Sequence, residues 1–180
     1  ASWYGPGYRA LTTLTLIKAG LPKQHETLQA AVEDLRRLDI TESYSLACAI
    51  MAMEAYYAPD GTDQALQGGA AEDVSQRKLD ERDLAIVQEW TDRLLHNHDV
   101  EVDKAYRLRF RYHHATGYDN SVSQYAMLGL YSAGLCGVRI SPQVWFAAAD
   151  HWLDQATITG EKAMRVEIGG PRMRLGKRKR

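Results

Sequence analysis

Apolar and polar residues alternate along the chain in a pattern that predicts two kinds of helix. Three segments are apolar on nearly every side, which is normal for a helix that is buried all round: 10–19, 45–57 and 123–133. Three others are amphipathic and predict helices with one face in water: 28–38, 79–96 and a segment that begins at Ser141 and Pro142. The two kinds of helix follow one another in strict alternation.

This alternation forms a repeat. Residues 10–20 align with residues 124–134, and residues 44–55 are a third copy of the same apolar helix. An amphipathic partner follows each copy, after a turn that contains Pro22 in the first pair and Pro142 in the last. Neither helix of such a pair can bury its apolar surface alone, so neighbouring pairs must stack. The sequence therefore predicts an all-α fold of stacked helical hairpins.

Three segments lie outside the repeat. Residues 60–76 are glycine-rich with few large apolar side chains, which is typical of a mobile loop. Residues 100–118 alternate aromatic or apolar residues with arginines, a period of two that predicts an irregular arm or a short strand. Residues 158–180 form a basic, glycine-rich tail. We expect a hairpin repeat domain at 1–157 that is followed by this tail.

The start of the third inner helix, from Asp119 to Leu130, resembles the inner-helix starts of bacterial prenyltransferase and squalene oxidase repeat proteins. Residues 8–20 and 44–55 follow the same pattern, and residues 145–155 resemble the outer helix that leads into the Gln/Trp-type motif of cyclases. The resemblance implies the α/α toroid of terpene cyclases, squalene cyclases and protein prenyltransferase β-subunits. Complete toroids of this kind usually carry about twice as many helix pairs, so the chain is expected to form part of an α/α toroid.

The chain lacks the residues that carry this family's chemistry. Squalene-type cyclases protonate an alkene with an Asp-x-Asp-Asp motif, and prenyltransferase β-subunits hold zinc with an Asp-x-Cys pair and a distant histidine. Neither motif occurs in the sequence, and Gln155 is not followed by the Gly-x-Trp end of the Gln/Trp motif. We therefore predict no catalytic residue, no cofactor and no metal site.

The densest polar cluster beside an inner helix lies at the start of the third copy. Free N–H groups and the helix dipole favour anions at such a position, and in a toroid the starts of the inner helices open toward the mouth of the cavity. These residues are the candidate ligand-binding site: Asp119, Asn120, Ser123, Gln124 and Tyr125. The alternative is that the polar side chains cap the helix and set the preceding turn. Both roles are compatible.

Histidines and arginines suggest two further sites, and each has a simpler interpretation. Histidines occur at 96, 98 and 113–114, but adjacent histidines on a helix point about 100° apart and no nearby residue completes a known metal-ligand spacing. Surface histidines explain them better. The arginines at 107, 109 and 111 alternate with aromatic residues that can stack on bases or help to bind phosphates. One charged face beside a half-buried apolar face is the simpler account.

Six aromatic residues in the helices have two interpretations as well. They are either the packing between helices, which we favour, or the lining of an apolar pocket: Tyr8, Tyr44, Tyr125, Tyr131, Trp145 and Trp152.

The composition limits the classes of partner. A net charge of −1 gives no overall basis for nucleic-acid binding, and no apolar run reaches the roughly 18 residues that a membrane span requires. Cys48 and Cys136 lie in apolar helical segments, so we expect two buried free thiols rather than a disulfide or a metal pair. No feature of the sequence indicates a compartment.

The favoured hypothesis is a non-catalytic α/α-toroid-like repeat domain that binds a partner protein or an apolar ligand. It combines the clear hairpin repeat with the missing catalytic motifs. One alternative is a terpene cyclase-like or prenyltransferase-like enzyme that acts on isoprenoid substrates with unrecognised catalytic groups. Another is a structural segment that closes a ring by pairing with a second copy as a homodimer.

Overall fold

The computed structural model describes residues 5–58, 77–99, 108–112 and 118–155, and six helices account for most of them. In chain order these are α1 (Gly5–Lys18), α2 (Glu26–Arg36), α3 (Ser43–Tyr57), α4 (Glu81–His96), α5 (Asn120–Leu135) and α6 (Pro142–Gln155). Each lies where the apolar pattern predicts a helix, so the all-α prediction is confirmed. No helix in the described part is long and apolar enough to cross a membrane.

The helices pack in the order that the repeat predicts. The three apolar helices lie side by side with α3 in the middle, between α1 and α5. The amphipathic α2 packs on α1, and α4 packs on both α3 and α5. The first two helix pairs, α1–α2 and α3–α4, are therefore stacked hairpins of an inner and an outer helix, and α5 extends the row of inner helices. The closure of such a stack toward a toroid stays a prediction.

The two inner helices α3 and α5 are buried to different extents. Residues 45–50 of α3 are all fully buried, as the apolar pattern predicts. In α5, however, Leu128 is 46% exposed and Tyr131 is 53% exposed. The expectation that the segment at 123–133 is buried all round is wrong for this face. The reason is position in the stack: α3 has an inner helix on each side, whereas α5 is the last inner helix of the described chain.

A close approach of two backbones joins α3 to α5. A Cβ atom added at Gly129 would lie 2.7 Å from the Cα atom of Ala47 and 2.9 Å from its Cβ atom. Real Cβ atoms do not come so near to backbone atoms, so only glycine fits at this crossing. Gly129 and Ala47 thus set the distance between the two inner helices.

A buried ion pair joins three helices on the other side of α3. The carboxylate of Asp83 in α4 is fully buried and accepts two hydrogen bonds from Arg36 in α2, at 2.8 Å from Nε and 2.6 Å from Nη2. The hydroxyl of Tyr57 in α3 donates to the same carboxylate at 2.6 Å. Burial and this hydrogen bond raise the pKa of Tyr57 above its ordinary value, so the hydroxyl keeps the proton that it donates.

Residues 98–99 and 109–110 form a small extended element. Strand β1 (His98–Asp99) pairs antiparallel with β2 (Arg109–Phe110), with His98 opposite Phe110. Within the arm, residues 109–110 form a short strand. The rest of that arm, the predicted loop at 60–76 and the tail at 158–180 lie outside the described residues.

Both cysteines are buried and neither forms a disulfide, as the sequence predicts. Burial raises the pKa of the Cys48 thiol to about 11 and that of Cys136 to about 12. The thiolate is the reactive form of cysteine, so both side chains behave as small apolar groups at neutral pH.

Candidate functional site

Asp119 caps α5. Its carboxylate accepts hydrogen bonds from the backbone N–H groups of Ser121 at 2.7 Å and Val122 at 3.1 Å. The Ser121 hydroxyl donates to the same oxygen, and these bonds together hold the pKa of Asp119 below its ordinary value. An ionised carboxylate at this position satisfies free donors and complements the helix dipole. The predicted capping role is confirmed, and the ligand-binding role stays a prediction.

Ser123 ties the first turn of α5 to β2. Its buried hydroxyl donates to the backbone oxygen of Asp119 at 2.9 Å and accepts from the backbone N–H of Phe110 at 3.0 Å. The backbone N–H of Asp119 donates in turn to the Phe110 carbonyl at 3.0 Å. The start of α5 is therefore fixed against the strand by two hydrogen bonds, and the third closes its first turn.

Asn120 connects α5 to α6. Its side-chain oxygen lies 3.1 Å from Nε2 of His151, and because an amide oxygen can only accept, this contact requires a proton on Nε2. His151 is buried, and the ring of Tyr118 packs edge-on against it with centroids 5.5 Å apart. The Arg109 guanidinium lies over the Tyr118 ring at 4.3 Å. This cluster holds α6 against the start of α5 and the nearby strand.

Tyr125 and Gln124 are placed differently from the capping residues. Tyr125 is half-buried and packs against Tyr44 of α3, with ring centroids 4.6 Å apart and the ring planes tilted by 56°. Burial, together with Cys48 and Tyr125 nearby, raises the pKa of Tyr44 above its ordinary value. Gln124 is exposed and shares an outer face of α5 with Leu128 and Tyr131, at positions i, i+4 and i+7.

The outer face of α6 is apolar although it is exposed. Helical geometry places five residues on one arc of about 120°: Trp145, Phe146, Ala149, Trp152 and Leu153. All five are exposed, the four large ones by 36% to 52%. A second arc of α6 is also apolar, but it is buried and includes Val144, Ala147 and Ala148. This helix therefore has two apolar faces, of which one is buried in the fold and the other is exposed.

This finding corrects two expectations. The last amphipathic helix was expected to expose a polar face to solvent, and six aromatic residues were expected to pack between helices. Four of those six are exposed instead: Tyr8, Tyr131, Trp145 and Trp152. We use the term apolar edge for the exposed apolar residues of the last hairpin: Leu128, Tyr131, Trp145, Phe146, Ala149, Trp152 and Leu153.

The other sequence candidates are dispersed. His96 is exposed at the end of α4, as expected for a surface histidine. Arg109 stacks on Tyr118, whereas the arginine at 107 and the histidines at 113–114 lie outside the described residues. Within the described ranges, no group of three His, Cys, Asp or Glu side chains is placed to hold a metal ion.

The contact between Asn120 and His151 gives a prediction for α6. Asn120→Ala leaves the buried Nε2–H of His151 without this acceptor, which costs about 1–3 kcal/mol for a buried donor. We expect the amide hydrogens of α6 to exchange faster in this variant, while those of α3 are unchanged. Gln124→Ala is the matched control, since it removes an exposed amide one turn away. Equal exchange of α6 in the wild type and both variants would show that Asn120 does not hold this helix.

No protein-family model, curated protein or solved structure matches the chain. The toroid resemblance thus remains an expectation from the sequence.

Proposed function

We propose that the chain is a non-catalytic helical-hairpin repeat domain, built as part of an α/α toroid, that binds a partner protein through its apolar edge. One observation supports this proposal above all. Of the nine large apolar side chains exposed in the described part of the chain, seven lie between residues 118 and 153. Scattered exposed apolar residues need no explanation, but a concentration on one hairpin is typical of an interaction surface.

The chemistry of the apolar edge favours a protein over a small ligand. Tyr, Trp and Phe are enriched at the centres of protein interfaces, and four of its residues are of these types. A small apolar ligand requires a concave pocket that encloses most of its surface. The residues of the apolar edge lie on outward helix faces, which another helix or sheet can cover.

Three of the candidate residues at the start of α5 hold the two helices that carry the apolar edge. Asp119 and Ser123 fix the first turn of α5, and Asn120 holds α6 through His151. Gln124 is exposed beside Leu128 and gives the apolar edge a polar margin. Protein interfaces commonly surround an apolar centre with such a polar rim. In this proposal Gln124 contacts the partner directly, whereas the other three position the surface.

A photo-crosslinking experiment tests the proposal. A photo-reactive phenylalanine analogue replaces Phe146 in the full chain, which is expressed in its cells of origin. We expect a discrete adduct after illumination, since Phe146 is 52% exposed and belongs to the apolar edge. The same analogue at Gln143, exposed on the polar side of α6, is the control.

The outcomes separate binding from chance contact. An adduct at position 146 that is absent at 143, and that disappears when Ala149→Arg is added, supports the proposal. Equal adducts at both positions, or none at either, would show that the apolar edge binds no protein.

A further inference from the structure

The exposed face of α6 has a symmetric arrangement of side-chain sizes. Ala149 lies at its centre, with Trp145 and Phe146 four and three residues before it, and Trp152 and Leu153 three and four residues after it. A helix face with a small residue between two pairs of large ones shows the same order of side-chain sizes when it is read in either direction. When two such helices run antiparallel, each large pair lies over the pair at the other end of the partner, and the small residues allow the backbones to approach.

We propose that the partner of the apolar edge is a second copy of this chain, bound through α6 in an antiparallel pair whose two-fold axis passes at Ala149. This inference rests on the function proposed above and names its partner. In this pair Phe146 packs on Trp152 of the second copy, and Trp145 packs on Leu153 of the second copy. The contact is isologous, so each residue pair occurs twice.

The apolar area of the face approaches that of one side of a standard protein interface. Aromatic side chains offer about 150–250 Å² each, so the fractions exposed on α6 amount to roughly 400 Å² of apolar surface in each copy. A standard protein interface buries about 800 Å² per partner, of which a little more than half is apolar. The face of α6 supplies most of that apolar share before Leu128 and Tyr131 are included.

The other end of the hairpin stack is a poor match for this face. The exposed residues at that end are mostly polar or charged: Arg9, Thr12 and Thr15 of α1 and Glu26, Gln29 and Asp34 of α2, with Tyr8 as an exposed aromatic residue. A head-to-tail contact of copies would press these polar groups against Trp145 and Phe146 and remove them from water, and the apolar side chains offer no hydrogen bonds in its place, which is unfavourable. The α6 face carries no charged residue, so it is complementary to itself rather than to the opposite end.

The mass of the purified full chain in solution tests the pairing. Sedimentation and light scattering are expected to give about 40 kDa, twice the chain mass of 20.2 kDa, with dissociation on dilution. Ala149→Arg places a charge on the two-fold axis and is expected to raise the dimer dissociation constant by at least about 30-fold, the effect of a hot-spot residue. Gln143→Arg adds the same side chain to the polar side of α6 and is expected to leave the dimer intact. Circular dichroism checks that both variants fold.

Cross-linking tests the register independently. In the proposed pair, a cysteine at position 149 lies beside the same cysteine of the second copy, because both are at the two-fold axis. A cysteine at position 143 lies about 18 Å along the helices from the same cysteine of the second copy. A bismaleimide of short span should therefore join Ala149→Cys and not Gln143→Cys, and the buried Cys48 and Cys136 give no background.

The outcomes distinguish this inference from the proposed function. A wild-type chain that stays monomeric at high concentration, a dimer that survives Ala149→Arg, or equal cross-linking at 143 and 149 would each overturn the α6 pair. If the purified chain is monomeric but position 146 still forms an adduct with a different protein, the apolar edge binds that protein and only the self-pairing is wrong. A monomeric chain without any adduct rejects both.

Discussion

Replacing Asp83 with alanine is expected to lower the free energy of unfolding by about 3–5 kcal/mol, the range measured when one partner of a buried ion pair is removed. The carboxylate is fully buried, and its loss leaves the Arg36 guanidinium, itself only 15% exposed, without its bidentate partner. Tyr57 loses an acceptor in the same change. Equilibrium unfolding in urea, followed by circular dichroism, measures the effect.

An exposed ion pair of the same two residue types provides the control. Arg9 donates to both carboxylate oxygens of Asp34 at 3.0 and 2.9 Å, but both side chains are at least half exposed. Water solvates the arginine when Asp34→Ala removes its partner, so the expected loss is at most about 1 kcal/mol. Similar losses in the two variants would show that burial does not decide the strength of these pairs.

The second large effect is expected at the crossing of α3 and α5. Gly129→Ala gains up to about 1 kcal/mol of helix propensity, yet its new methyl group meets the backbone of Ala47, which cannot rotate away. The two helices must move apart, and overpacking of this kind costs about 1–3 kcal/mol or more. We therefore expect a net loss of stability, seen as a lower Tm and a lower urea midpoint.

The same helix contains a glycine at which the opposite sign is expected. A Cβ atom at Gly134 would meet nothing within 4 Å, so Gly134→Ala should keep its propensity gain and stabilise the chain by about 0.5–1 kcal/mol. Two identical substitutions five residues apart then change stability in opposite directions. If both stabilise the protein, the close approach at Gly129 is absent in solution.

The positions of the helices could be predicted from the sequence because each signal is local. Apolar spacing marks the six segments, and residues such as Asp119 and Ser141 mark helix starts by bonding to N–H groups two or three residues ahead. These interactions span a few residues and depend little on the rest of the fold. The order of inner and outer helices could be predicted from the sequence as well, since a nearly all-apolar helix must be covered by its neighbours.

The contacts that build the candidate site were not predictable in this way. Asn120 meets His151 across 31 positions, and Arg36 meets Asp83 across 47. Polar residues on amphipathic helices are expected to face water, and only the packing of three helices buries Asp83 against Arg36. The sequence identified Asp119 and Asn120 as a polar cluster but did not indicate which partner each would take.

The exposure of the last hairpin was missed for a related reason. An apolar face indicates that something covers it, but the pattern does not say whether the cover belongs to the same chain. For α3 the cover is α1 and α5, and residues 45–50 are fully buried as predicted. For Leu128 and Trp145 no described element supplies it, and the same reasoning gave the wrong result.

The position of α3 between α1 and α5 has a consequence for how the chain gains and loses structure. Three hairpins are the smallest stack in which one inner helix is flanked on both sides, so the described part has a single interior unit. Unfolding of either flanking hairpin would expose the most apolar helix of the described chain to water. The unfolding of one end is therefore coupled to that of the other through α3, and the short array behaves as one cooperative unit rather than as three separate repeats.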